Sequence, residues 1–224
     1  MLPIGDLNPR RHFPIATVLI IGLNVLVFLY QVMIPEAELQ QFILEAGVIP
    51  YEVTNRFGPD VAQDLLTCMF LHGSWMHIGG NMLYLWIFGD NIEDWLGTAW
   101  FVIFYLAAGI AASLAQVAAG PESTIPTIGA SGAIAGVLGC YLVLFPHARV
   151  RTVVFLLRFI RFIELPALVV LGFWFVLQFL QGVGSLGAGA SGGVAWFAHI
   201  GGFVAGVLVG LLVRRSPARK RRSI

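Results

Sequence analysis

The sequence predicts an all-α polytopic membrane protein of six transmembrane helices with both termini on the cytoplasmic side. Three observations carry this expectation. Of 224 residues, 58% are hydrophobic and 11% charged, whereas a soluble domain carries about 25% charged residues. Lipid is therefore the expected solvent for most of the chain. Uncharged apolar stretches run over roughly 15–34, 71–89, 99–119, 129–146, 165–181 and 194–213, each close to the ~20 residues a helix needs to cross a bilayer core. Finally, an even span count with an inside N-terminus places 1–14, 90–98, 147–164 and 214–224 on one side. Those segments hold every Lys and Arg except Arg56, twelve of the 13 in the chain, as the positive-inside rule requires.

Each element follows in order. Residues 1–14 read as a cytoplasmic segment, and Arg10 and Arg11 precede the first span as they would in a signal peptide. That span is long and lacks an A-x-A end, so it is expected to be retained. The outer loop 35–70 mixes Glu36, Glu38, Glu45, Glu52, Asp60 and Asp64 with Leu39, Phe42, Ile43 and Leu44, which predicts short interfacial helices. Residues 15–213 form one six-helix domain. The basic tail 214–224 follows a span directly, so it reads as an anchor on anionic lipid and not as a nucleic-acid patch. Cys68 and Cys140 are too few for a disulfide framework. The absence of CxxC and HExxH argues against redox or zincin chemistry, and no cofactor or metal is expected.

Polar residues inside spans are costly and call for a reason. His72, His77 and Asn81 open the second span, with His77 and Asn81 four residues apart and so on one helical face. Ser131 opens the fourth span within Gly129-Ala130-Ser131-Gly132, and His199 lies near the start of the sixth. All three spans run in the same direction, so these groups share one level near the outer surface. The fourth span is short, about 16 residues to Pro146 or roughly 24 Å, which implies that the loop before it dips below the membrane surface. Backbone at that depth must be satisfied by protein or a water-filled cavity. Gly132, Gly136 and Gly139 line the fourth span and Gly202, Gly206 and Gly210 the sixth, spacings that let helix backbones approach closely.

This constellation suits nucleophilic catalysis. Ser131 needs a base within hydrogen-bond reach, and a neutral His199 can accept its proton. His77, Asn81 and the Ser131 backbone N–H can stabilise an oxyanion. No carboxylate lies at this level in the fourth or sixth span, so a Ser–His dyad without a third acid is expected. A second GxSG, Gly189-Ala190-Ser191-Gly192, lies in a Gly/Ala/Ser-rich outer loop, 182–193. Ser191 is eight residues from His199, about 12 Å along a helix, and reads as a decoy. A metal site of His72, His77 and His199 lacks an acidic or thiolate partner. A channel or transporter would show midplane carboxylates or inverted repeats.

In that order and spacing, His72-x4-His77-x3-Asn81, GASG at 129–132, and Ala198-His199-Ile200-Gly201-Gly202 with Gly206 resemble the rhomboid intramembrane serine proteases, of the prokaryotic six-helix type. The resemblance implies Ser131 as nucleophile, His199 as base, and His77, Asn81 and the Ser131 N–H as oxyanion donors. It implies site-organising roles for His72, Gly129 and Gly132, and structural hydrogen bonding for Glu93. The implied partners are transmembrane segments of membrane-protein substrates, cut near their outer ends after small residues, and the lipid bilayer. The implied location is a prokaryotic plasma membrane with the site on the extracytoplasmic side. A catalytically inactive scaffold that binds transmembrane clients is the alternative. Substrate entry is expected between spans two and five, past Tyr84, Trp86, Phe88, Trp174, Phe175 and Phe179. Two positions depart from the family pattern. The Trp-Arg pair of the first outer loop is missing, with Asn55-Arg56 nearby, and Ala135 stands where some members carry an aromatic beneath the histidine.

Overall fold

The computed structural model describes residues 1–156, 159–185 and 194–214. In chain order they form β1 (Leu2–Asp6), α1 (Ile15–Met33), α2 (Glu36–Ala46), α3 (Pro50–Asn55), α4 (Pro59–Thr67), a 3-10 turn (Cys68–Phe70), α5 (Trp75–Leu96) and α6 (Thr98–Ala119). Then come α7 (Ser131–Leu144), β2 (Arg149–Leu156), β3 (Phe159–Pro166), α8 (Ala167–Ser185) and α9 (Trp196–Arg214). Among these, α1, α6, α8 and α9 are long and apolar enough to cross a membrane. The 22-residue α5 has the length, but Asp90, Glu93 and Asp94 crowd its last two turns. The apolar α7 has only 14 residues, about 21 Å of helix. The chain is thus a mostly helical integral membrane protein.

Local chemistry sets the boundaries of α5. Ser74 is extended and its hydroxyl accepts the His77 N–H at 3.1 Å, an N-cap that leaves 71–74 outside the helix. Gly97, at φ 83°, stops the other end. The next cap is tertiary. Glu93 is buried and accepts the N–H groups of Ala16 and Thr17 at 2.9 and 2.8 Å and the hydroxyls of Thr17 and Thr98 at 2.8 and 2.9 Å. A carboxylate on the otherwise unpaired first N–H groups of α1 ties that helix to α5. The structural bonding implied for Glu93 is this one.

The shortest helix is central. α7 is buried without a break from Gly132 to Tyr141, and it packs chiefly against α9, then α6 and α5. Its glycines explain the fit. A Cβ on Gly206 would collide with the Gly136 carbonyl oxygen, one on Gly202 with that of Gly132, and one on Gly139 with that of Phe203. Backbone meets backbone along α7 and α9, which only glycine permits at such separations.

The all-α expectation requires correction at the end of the bundle away from Ser131. Segment 147–164, read only as an inner connection, forms the antiparallel hairpin β2–β3, and the N-terminal segment adds β1 to it, giving the order β1-β2-β3. The run Arg149-Val-Arg-Thr-Val-Val-Phe-Leu156 is dense in β-branched and aromatic residues, which suit a pleated half-buried surface. Asp6 of β1 accepts the Tyr141 hydroxyl at 2.5 Å, fastening the strand to α7. The loop 35–70 does hold short helices, α2 to α4.

Candidate active site

Ser131 is the first residue of α7, and the backbone before it is held without helix. Thr127 exchanges both main-chain bonds with Val48 at 3.1 and 2.8 Å, Tyr51 N–H donates to Ser123 O at 2.9 Å, and Gly129 N–H donates to Cys68 O at 2.8 Å. Val48, Tyr51 and Cys68 thus satisfy main-chain groups of the irregular, half-buried approach to Ser131. Gly129 is at φ 122°, and a Cβ there would lie 2.7 Å from the His77 ring. Glycine is needed at 129 on both counts.

The Ser131 hydroxyl donates to His199 Nε2 at 2.8 Å. His199 is the fourth residue of α9 and is buried. Its Nδ1–H donates to Gln178 Oε1 of α8 at 2.5 Å. An amide oxygen only accepts, so Nδ1 carries the proton and Nε2 is the free acceptor toward Ser131. Trp174, one turn before Gln178, sits tilted by 38° against the imidazole with centroids 5.9 Å apart, and Trp196 meets it edge-on at 6.1 Å. These rings supply packing where Ala135 offers no aromatic.

His77 and Asn81 stand on the first turns of α5, and both line the same cleft as Ser131 and His199, of about 900 Å³. The amide of Asn81 donates to His72 Nε2 at 3.0 Å, and the His72 and His77 rings are edge to face at 5.0 Å. The Ser131 N–H is the first of its helix and has no carbonyl one turn back within it. All the expected site residues therefore meet at one end of the bundle: Ser131, His199, His77, Asn81, His72, Gly129 and Gly132. Gly136, Gly202 and Gly206 form the helix contact beneath them. Ser191 and the tail beyond Arg214 lie outside the described residues. No group of three or more His, Cys, Asp or Glu placed to hold a metal occurs among the described residues.

Sequence reasoning passed over three glutamines. Besides Gln178, Gln31 of α1 accepts the His72 N–H at 3.0 Å and donates to its carbonyl at 3.3 Å. Gln116 of α6 accepts the Ala198 N–H at 3.2 Å, filling one of the open donors at the start of α9. The signal was present, since each is a polar residue within an apolar span. The aromatic face assigned to entry also needs revision. Phe88 is fully buried against Tyr141 at 5.0 Å and Phe175 stacks on Phe203 at 4.5 Å, because α5 and α8 each turn that side toward a neighbouring helix. Tyr84 and Trp174 line the cleft, and Trp86 and Phe179 are exposed.

A bundle of membrane helices that holds a serine hydroxyl against an imidazole beside an open cleft defines an integral membrane protein with a polar site at one end. The Rhomboid domain family model matches residues 60–216, and the chain belongs to the rhomboid family. It is 34% identical over 160 residues to Rhomboid protein 1, mitochondrial, of Saccharomyces cerevisiae, covering 68% of this chain and 42% of that protein. It is 34% identical over 151 residues to Rhomboid protease GluP of Bacillus subtilis, covering 66% and 26%. Presenilin-associated rhomboid-like protein, mitochondrial, of Homo sapiens is 34% identical over 139 residues, covering 60% and 34%. The chain spans less than half the length of these curated relatives. Two of the three carry mitochondrial names, so these relatives do not support the expected prokaryotic plasma membrane, and the location they leave is a membrane of unspecified kind.

Proposed function

We propose that the chain is an intramembrane serine endopeptidase that hydrolyses peptide bonds within or near the ends of transmembrane segments. The observation that carries this reading is the 2.8 Å bond from the Ser131 hydroxyl to His199 Nε2 at the side of the 900 Å³ cleft. In the reaction, His199 Nε2 takes the Ser131 proton as Oγ bonds to the scissile carbonyl carbon. Charge that develops on the carbonyl oxygen is met by the His77 and Asn81 side chains and the Ser131 N–H. The protonated imidazole then gives its proton to the leaving amine. Water, with its proton taken by the same Nε2, hydrolyses the acyl ester and frees Ser131. The substrate must present an extended segment, because a helix engages its carbonyls internally.

On this reading the chain crosses the membrane six times, with α5 and α7 as the two spans that composition or length alone does not qualify. Both termini and the β1–β3 sheet face the cytoplasm, and the site opens near the opposite surface of the membrane. Substrate reaches it between α5 and α8, which do not pack closely on each other, past Tyr84 and Trp174. The test is turnover of a transmembrane substrate in proteoliposomes by the wild type, Ser131→Ala and His199→Ala. Loss of cleavage in both variants is expected. Cleavage that survives Ser131→Ala would overturn the mechanism, and failure of the wild type to cut substrates it binds would leave an inactive client-binding scaffold.

A further inference from the structure

An imidazole that pairs with a serine through one nitrogen has two problems left. Its proton can sit on either nitrogen, and its ring can rotate about χ2. Only the tautomer with hydrogen on Nδ1 leaves Nε2 able to take the Ser131 proton. In serine hydrolases with a carboxylate on Nδ1, that group supplies both constraints. Among the described residues no carboxylate bonds the His199 ring. The Trp174 and Trp196 rings restrict its plane, but apolar contacts cannot choose a tautomer.

We propose that Gln178 is a positioning residue for the general base, holding His199 in the tautomer and orientation from which Nε2 receives the Ser131 proton. The proposal rests on the Ser131–His199 reading above. Its support is geometric. Gln178 Oε1 accepts the Nδ1 hydrogen at 2.5 Å, and both side chains are buried. Between Ala167 and Leu180 every other residue of α8 is apolar or glycine, so the amide stands in a position where it is costly unless bonded. Trp174 precedes Gln178 by four residues and faces the same way. One face of α8 therefore sets both the plane of the ring and its proton. A neutral amide orients the imidazole without adding a negative charge beside it, which distinguishes this arrangement from a triad with an acid.

The experiment compares the full chain in proteoliposomes with Gln178→Glu, Gln178→Leu and Ser131→Ala, measuring kcat and KM on a transmembrane substrate and the rate of fluorophosphonate labelling of Ser131. Gln178→Leu should lower kcat at least about tenfold with KM within about twofold, the signature of an interaction that matters in the transition state. Labelling should slow in parallel. Gln178→Glu keeps an oxygen at the same reach and should be clearly more active than Gln178→Leu. A residue that only fills space gives the reverse order, because leucine suits an apolar helix better than glutamate does. Wild-type kcat in Gln178→Leu, or leucine as active as glutamate, would overturn the proposal. If Gln178→Leu does not fold, the unbranched Gln178→Met takes its place in the same comparison. Cleavage by Ser131→Ala would instead sink the underlying Ser–His reading, whatever the Gln178 variants do.

Discussion

Gln31, Gln116 and Gln178 each place an amide in an apolar helix, and each answers a polar group of the site: the His72 backbone, the Ala198 N–H and the His199 ring. A buried donor or acceptor left unpaired costs about 1–3 kcal/mol, so these contacts are worth most as specifications of where each group must point. Asn81 does a second kind of work, since its amide touches His72 and lines the cleft. On the proposed mechanism, Asn81→Ala should lower kcat by roughly 10²-fold with little change in KM, the loss expected for one oxyanion donor, as measured by steady-state cleavage. Asp6 belongs to the opposite end. Burial, reinforced by the charge of Asp90, raises its carboxyl from 3.8 to about 6 against the opposing Tyr141 hydrogen bond. Between these values the folded chain binds more protons at Asp6 than the unfolded chain does. That contribution to stability is full below pH 3.8 and is lost as pH rises through about 6. The thermal midpoint of the wild type should fall from pH 5 to pH 7 by more than that of Asp6→Asn, and equal falls would contradict the assignment.

Helices α7 and α9 act as one element because their glycines let the two backbones touch. The Ser131–His199 bond depends on this contact, since each residue stands at the start of one of these helices. Gly206→Val places a side chain where the Gly136 carbonyl oxygen lies, and no rotamer relieves a clash with backbone. The helices must separate. The expected cost is about 3 kcal/mol or more, together with loss of cleavage, and thermal unfolding and turnover should decline together. A variant that unfolds like the wild type yet loses cleavage would show that alignment, more than stability, depends on this glycine. The sheet shows why an element can escape a hydropathy reading. Val150, Thr152, Val153 and Val154 in β2 and Ile160, Phe162 and Ile163 in β3 are β-branched or aromatic residues that favour strand, and that signal is lost when the segment is read only for its positive charge.

At the scale of the whole molecule, the proposed topology assigns α2 to one side of the membrane and the β2–β3 hairpin to the other. Cys68 and Cys140 are buried, so cysteines introduced as Gln40→Cys and Phe162→Cys can be read against a low background. A membrane-impermeant maleimide added to intact cells should label the first and spare the second until the membrane is opened, and the reverse pattern would invert the orientation. The sequence by itself determined the solvent, the long helical stretches, and the pairing of Ser131 with His199. These rest on composition, on period and on polar residues whose burial needs a reason, all of which are local and legible along the chain. Only the tertiary structure decided what surrounds that pair. The amide on His199 comes from α8, the cap on α1 from Glu93, the support for Ser131 from Val48, Tyr51 and Cys68, and the third strand from the N-terminus. Each is a contact between segments far apart in the chain, and its energy depends on distance and direction, which spacing along a sequence does not encode.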